Sequence, residues 1–208
     1  PCNWLQDWEN VMDPFHVPIL HTSFSGVQFV PEFGIMPEVE WEMDDLGMKY
    51  TAYRKLDDGR EVDRVTYIFF PHVRIVPSVE LAPGPGTTIG FCMPVDDENF
   101  TIFHIMKVPE DFEFGAQRRE RLPGKIWSEM SEEEHQRFPG DWEAQVGQGP
   151  ISLHSEEHLA PSDRGVRMAR RLLREQIEAV QAGGDPQGVV FDDADAQIEV
   201  KAGNFFRD

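Results

Sequence analysis

The stretch Glu9-Asn10-Val11-Met12-Asp13-Pro14-Phe15-His16-Val17-Pro18-Ile19-Leu20-His21 sets a carboxylate and two imidazoles in one short segment that can change direction. Read as a helix ending near Pro18, it puts Asp13 and His16 three residues apart on one face. Proline lacks a backbone N–H and disfavours helix in the residue before it, so a break at Pro18 turns His21 back toward His16. Two neutral imidazoles would then meet one ion. The ordinary alternative is a pair of surface or hydrogen-bonded core histidines, because such triplets arise by chance in many chains.

Upstream stand Asn3, Trp4 and Gln6, and with Glu9 and Asn10 they complete the pattern Asn-Trp-x-Gln, Glu-Asn, Asp-x-x-His-x-x-x-x-His. This pattern resembles the iron-binding segment of Rieske-type aromatic ring-hydroxylating oxygenases. The resemblance implies that His16 and His21, with a distant aspartate, hold a mononuclear Fe(II), a set that leaves positions open for dioxygen. It also implies a catalytic role for Asp13, linking the iron site to the Rieske [2Fe–2S] cluster of a neighbouring subunit. Gln6, Glu9 and Asn10 are expected to support the site from the same helix.

A second stretch, Gly140-Asp141-Trp142-Glu143-Ala144-Gln145-Val146-Gly147-Gln148-Gly149-Pro150-Ile151, resembles the other signature of that family. The resemblance makes Asp141 the third iron ligand. Glu143 is the competing carboxylate, and an Asp following Pro-Gly is also a common helix N-cap. Gly140 stands where many relatives carry Glu. Ser155-Glu156-Glu157-His158-Leu159 and Pro161-Ser162-Asp163, ahead of a long amphipathic segment, extend the likeness.

The sequence of 208 residues, 40% hydrophobic with 15 phenylalanines, suits one large domain or two small ones with a substantial core. A formal charge of −19 opposes phosphate backbones and anionic lipid, so no nucleic-acid or membrane-surface role is expected. No apolar run approaches the roughly 18 residues of a membrane span, and the start has no signal-peptide pattern, so a cytoplasmic enzyme is expected. Cys2 and Cys92 imply no disulfide framework and read as free thiols. A Rieske centre needs two cysteines and two histidines in Cys-x-His and Cys-x-x-His pairs, and neither cysteine is so followed. The cluster is therefore expected outside this sequence. Residues 1–208 are expected to be the catalytic domain of a longer subunit, with the N-terminal Rieske domain absent from this chain.

The first helix is expected from Leu5 to His16 and a strand from Phe24 to Val30. Val39 to Met43, Lys49 to Leu56 and Val62 to Phe70 alternate as strands, turning at Asp44-Asp45-Leu46-Gly47 and Asp57-Asp58-Gly59. His72 to Pro77, Thr87 to Met93 and Phe100 to Val108 continue the antiparallel meander, the last two joined through Asp96-Asp97-Glu98-Asn99. Val166, Ala169, Leu172, Leu173, Ile177 and Val180 form an apolar stripe at helical period that ends at Gly183-Gly184. Pattern alone supports α+β; the resemblance implies a helix-grip fold, START/Bet v 1-like, whose long C-terminal helix covers a cavity. Gly115 to His135 is charged and irregular, and Asp192-Asp193-Ala194-Asp195 lacks the glycine and terminal glutamate of a calcium loop.

The resemblance, nearest to the phthalate dioxygenase-like branch, implies an NAD(P)H-dependent oxygenase fed through a reductase. Such an enzyme activates O2 to hydroxylate or O-demethylate an aromatic compound, an aromatic acid above all, and works as a homotrimer. The alternative class is a non-catalytic helix-grip binder of a hydrophobic small molecule. An anionic substrate calls for a cation near the iron; Arg54, Arg64, Arg74 and Lys107 lie in strand regions with their facing left open. His104, in Ile102-Phe103-His104-Ile105, is open between a cross-strand hydrogen bond and a cavity contact. His72, His135, His154 and His158 read as structural or surface residues.

Overall fold

Strand alternation dictates the sheet. After β1 (Glu38–Met43), strand β2 (Gly47–Lys55) buries Met48, Tyr50, Ala52 and Arg54 on one face and turns Lys49, Thr51, Tyr53 and Lys55 to the other. Its partner β3 (Glu61–Phe69) repeats this with Val62, Arg64, Thr66 and Ile68. The computed structural model describes residues 1–86, 88–108, 110, 120–189 and 198–207. Within these, β4 (Val73–Ile75), β5 (Gly84–Pro85), β6 (Thr88–Asp96) and β7 (Asn99–Met106) complete an antiparallel sheet in the order β1-β2-β3-β4-β6-β7. A separate hairpin joins β8 (Glu120–Leu122) to β9 (Lys125–Ile126). Strand β10 (Gly203–Arg207), unforeseen in the sequence, pairs with the first half of β3, because β4 reaches only Tyr67 to Phe69. Gly-Asn-Phe-Phe-Arg has no clear alternation to announce a strand.

The helices are α1 (Trp4–Asn10), α2 (His16–Pro18), α3 (Glu132–Arg137), α4 (Asp141–Gly147) and α5 (Arg164–Gln181). Trp8, Val11 and Met12 from the first segment and Ala169 and Leu172 from α5 pack on Met48, Tyr50, Ala52 and Ile68 of the sheet. A second cluster gathers Phe33, Leu56, Val62 and Leu81. A cavity of about 500 Å³ draws its walls from both, Val11 and Tyr50 from the first and Phe33 from the second. The architecture is the expected α+β helix-grip arrangement. Only the first half of the α5 stripe is buried, however: Ile177 and Val180 are 48% and 50% exposed.

Three local expectations are corrected. The first helix stops at Asn10, not His16, because Pro14 disfavours helix at Asp13, whose side chain instead accepts the Phe15 N–H at 2.9 Å. Pro18 does not break the chain. It sits in the first turn of a helical stretch, where its missing N–H costs nothing, and that stretch widens into a π-helical turn over Ile19–Phe24. Phe24 to Val30 is not a strand either: Phe24 closes the π turn and Gly26 takes a positive φ of 73°. Thr87, 115–119 and Asp192 to Asp195 lie outside the described residues.

Buried polar residues tie α1 to its surroundings. Arg170 of α5 makes a bidentate pair with Glu9, both bonds at 2.6 Å, and a further pair with Glu157. Nearby, a Cβ at Gly165 would lie 2.2 Å from Trp41 Nε1 and 2.3 Å from the Met12 carbonyl oxygen. Helix α5 can thus seat against the backbone just before Asp13 only with glycine there. Gly165→Ala is expected to destabilise the fold by about 1–3 kcal/mol through overpacking, measured as a lower denaturant midpoint at unchanged slope.

Candidate metal centre

His16 opens α2, and His21 lies in the π turn that follows it, Ile19–Phe24. The Ser25 N–H bonds the Leu20 carbonyl at 3.3 Å in the i to i+5 register of that turn. The His16 and His21 rings stand 5.3 Å apart at 73°.

Each ring is fixed through its Nδ1. His16 Nδ1–H donates to the Asp13 main-chain oxygen, and His21 Nδ1–H donates to Gln28 Oε1 at 2.8 Å. Gln28 is itself oriented by donating through Nε2 to the Pro139 carbonyl at 2.9 Å. With both Nδ1 atoms acting as donors, each Nε2 is left to face Asp141: in the protonated ring it donates to the carboxylate, and in the neutral ring it carries the lone pair that a metal ion needs. Asp141 Oδ1 lies 3.6 Å from His16 Nε2 and 3.1 Å from His21 Nε2.

Asp141 reaches this point because it is the first residue of α4, not its cap. Gly140 holds the cap position with extended backbone, and its N–H bonds Glu143 Oε2 at 2.8 Å. The other Glu143 oxygen is engaged by His135 Nδ1 at 2.6 Å and Trp127 Nε1 at 2.8 Å. The competing carboxylate therefore points away from the histidines. Burial pushes the Asp141 carboxyl upward in pKa, but the His21 hydrogen bond, the two imidazoles and the Asn10 amide outweigh it and hold it well below the usual range.

The supporting residues divide in a way the sequence did not reveal. Asn10 touches the cluster, its Nδ2 donating to Asp141 Oδ1 at 3.2 Å. Gln6 acts on the scaffold instead: Nε2 donates to the Gln145 and Gly149 carbonyls at 3.0 and 3.1 Å, holding the C-terminal end of α4. Glu9 is engaged with Arg170, away from the histidines. Asp13 contacts His16 through its backbone oxygen, while its carboxylate lies 3.9 Å from Nδ1. Burial raises the Asp13 pKa, and the neighbouring His16 and the Phe15 N–H oppose that rise.

Asp7 and Gln28 were missed. Asp7 shares a face with Asn10, three residues on, which was the available signal; it accepts from Arg74 Nη1 at 2.7 Å and from Gln145 Nε2 at 3.3 Å. Gln28 gave no signal, since only the folded loop brings it to His21. His104 lines the cavity, beside Arg74 across Gly90, where a Cβ would lie 3.0 Å from both side chains.

The atoms His16 Nε2, His21 Nε2 and an Asp141 oxygen all lie within 4.8 Å of one another. When both rings are neutral, two lone pairs and a carboxylate oxygen converge at this range, and a divalent cation among them turns their repulsion into coordination. The donor set therefore fits the two-histidine, one-carboxylate ligation of non-haem Fe(II). All three residues border the cavity, with the Phe29 ring 4.7 Å from that of His21 and tilted 59° to it.

Such a cluster on the wall of a helix-grip cavity has the donor set of a mononuclear non-haem iron site, and the relatives of this chain bear oxygenase names. No protein-family model matches the chain. It is 47% identical over 206 residues to the phenoxybenzoate dioxygenase subunit alpha of Ectopseudomonas oleovorans, across 99% of this chain and 50% of that protein. It is 34% identical to the tert-butanol monooxygenase / tert-amyl alcohol desaturase oxygenase subunit of Aquincola tertiaricarbonis, across 94% of this chain and 47% of that one. Identity to the 5,5'-dehydrodivanillate O-demethylase oxygenase subunit of a Sphingobium species is 29%, across 93% and 46%. The chain spans about half the length of the curated relatives it matches. Along nearly its whole length the chain is thus similar to part of these oxygenase subunits, in keeping with the catalytic domain of a Rieske-type oxygenase.

Because Gln28 fixes the His21 tautomer, Gln28→Leu is expected to weaken divalent-metal affinity by about 10–100-fold while leaving the melting temperature nearly unchanged. Metal titration of the two proteins checks it; equal affinities would leave Gln28 a loop residue only.

Proposed function

We propose that this chain is the iron-binding catalytic domain of an oxygenase that uses O2 to hydroxylate or O-demethylate an aromatic compound. The observation that carries the reading is the meeting of His16, His21 and Asp141 at the wall of a cavity of about 500 Å³, within the usual size of a small-molecule site. His16 Nε2, His21 Nε2 and Asp141 would hold Fe(II), which when bound supplies reductive activation of dioxygen. The protein's part is to fix both imidazoles through the Asp13 backbone and Gln28, and to keep the Asp141 carboxylate ionised. It also lays an aromatic body against Phe29, Phe33 and Val17 with water displaced.

The Rieske [2Fe–2S] cluster belongs, in this reading, to an N-terminal domain in the other half of the full-length subunit. Electrons come from NAD(P)H through a reductase, and a homotrimer brings the cluster of one subunit to the iron of the next. Asp13 fits the bridging role: it precedes His16 by one turn, holds it through its carbonyl, and keeps a partly exposed carboxylate beside it. No helix among the described residues is long and apolar enough to cross a membrane. A cytoplasmic location goes with this reading.

Iron analysis with product identification tests the function. His16→Ala, His21→Ala and Asp141→Ala should each strip iron and abolish oxygenated product from a panel of aromatic acids and ethers, whereas Glu143→Ala should retain the metal. An apolar ligand bound without any metal would favour the non-catalytic binder. In the full-length subunit, Asp13→Asn should keep its iron yet slow cluster oxidation on the order of a hundredfold. Unchanged oxidation kinetics would return Asp13 to a structural role.

A further inference from the structure

Four cations of the sheet were candidates to meet an anionic substrate, and the fold separates them. Lys107 and Arg54 do not border the cavity beside the metal cluster, whereas Arg64 and Arg74 do. Arg74 is already neutralised by Asp7, at 2.7 Å. Arg64 is not. Its guanidinium donates to three neutral oxygens, Ser78 O at 2.7 Å, Asn204 Oδ1 at 2.9 Å and Pro77 O at 2.9 Å, and no ion pair joins it to a carboxylate among the described residues. Arg64 is only 4% exposed, so its charge is withdrawn from water as well as unpaired.

A buried charge without a counter-ion is costly, and here the cost is compounded by a second cation. Arg54 is buried too, and its Nη1 has no hydrogen-bond partner. The two guanidiniums share the Phe33 ring, with Arg54 5.5 Å and Arg64 5.0 Å from its centroid. Cation–π contact eases such burial without neutralising it. Burial and Arg54 push the Arg64 pKa down to about 10, so it remains a cation at neutral pH. A chain of net charge −19 thus keeps an uncompensated positive site in the wall of its cavity.

We infer that Arg64 is the specificity-determining residue that selects an anionic substrate, a carboxylate carried on an apolar or aromatic body, over its neutral isostere. The carboxylate would face the Arg64 guanidinium while the ring rests near Phe33 and Phe29, directing the far end of the molecule toward His16, His21 and Asp141. This inference rests on the oxygenase reading for the identity of the cavity, but it concerns binding alone.

The test is therefore a binding measurement. The iron-loaded full-length subunit is titrated without oxygen with 3-phenoxybenzoate and with 3-phenoxybenzamide, which differ only in charge at the headgroup. The acid is expected to bind on the order of tenfold more tightly, as a charge-assisted hydrogen bond allows, and Arg64→Gln should abolish that preference while leaving amide binding within about twofold. Arg64→Lys, which keeps the charge with less disturbance of Pro77 and Ser78, should retain part of it. Equal affinities for acid and amide in the unaltered protein, or a preference that survives Arg64→Gln, would overturn the assignment. Absence of oxygenated product with the acid preference intact would instead count against the oxygenase reading and leave Arg64 as the anion site.

Discussion

Two imidazole nitrogens and a carboxylate oxygen lie within 4.8 Å of one another, and the rest of the structure is arranged to hold them there. Left to relax, His16 and His21 would rotate or take the other tautomer. What prevents it is that each Nδ1–H is committed to an acceptor whose own position is fixed, the Asp13 carbonyl in one case and the Gln28 amide in the other. The Asn10 amide and the position of Asp141 at the first turn of α4 restrain the carboxylate. With both rings neutral, their Nε2 lone pairs and the Asp141 carboxylate converge as a two-histidine, one-carboxylate donor set, which is the basis for reading the cluster as a metal centre.

Helix α1 is the structural anchor of that constraint. Although it has only seven residues, its polar side chains are tied in several directions: Gln6 to the end of α4, Asp7 to Arg74 of the sheet, Glu9 to Arg170 of α5 and Asn10 to Asp141. Gln6, Asp7 and Glu9 are buried, so each of their bonds also offsets a desolvation penalty that would otherwise fall on the fold. Trp8 supplies the apolar counterpart, fully buried and edge-on to Phe70 at 5.2 Å. Scaffold and site are consequently hard to separate: residues expected to serve the ligands directly, Gln6 and Glu9, serve them by fixing the helices on which the ligands stand.

The cavity follows from strand alternation in the same way. Because Tyr50, Arg64, Thr66 and Arg74 occupy inward positions, the wall opposite the histidines is polar and carries guanidinium groups, while Phe29, Phe33 and Val17 furnish the apolar surface. Gly90 has a place in this row: without a Cβ it lets Arg74 and His104 lie over the strand between them.

The sequence by itself determined which side chains could form the cluster, and the strands of the sheet. The spacing of Asp13, His16 and His21, the Asp141 segment, the hairpin turns and the alternation of β2 and β3 are local signals, set by side-chain chemistry and backbone period, and they were legible one segment at a time. Tertiary structure decided how those residues meet. Proline reads as a helix breaker one segment at a time, yet Pro18 stands in the first turn of a helical stretch that widens into the π turn Ile19–Phe24. Gln28, Asp7 and β10 act through partners far away in the chain or across a loop, and no local period encodes such distances. The facing of Arg54, Arg64 and Arg74 shared this limit: strand period gives two faces, but which arginine finds a carboxylate and which is left with neutral oxygens is fixed only when α1, the Pro77–Ser78 segment and β10 meet the sheet.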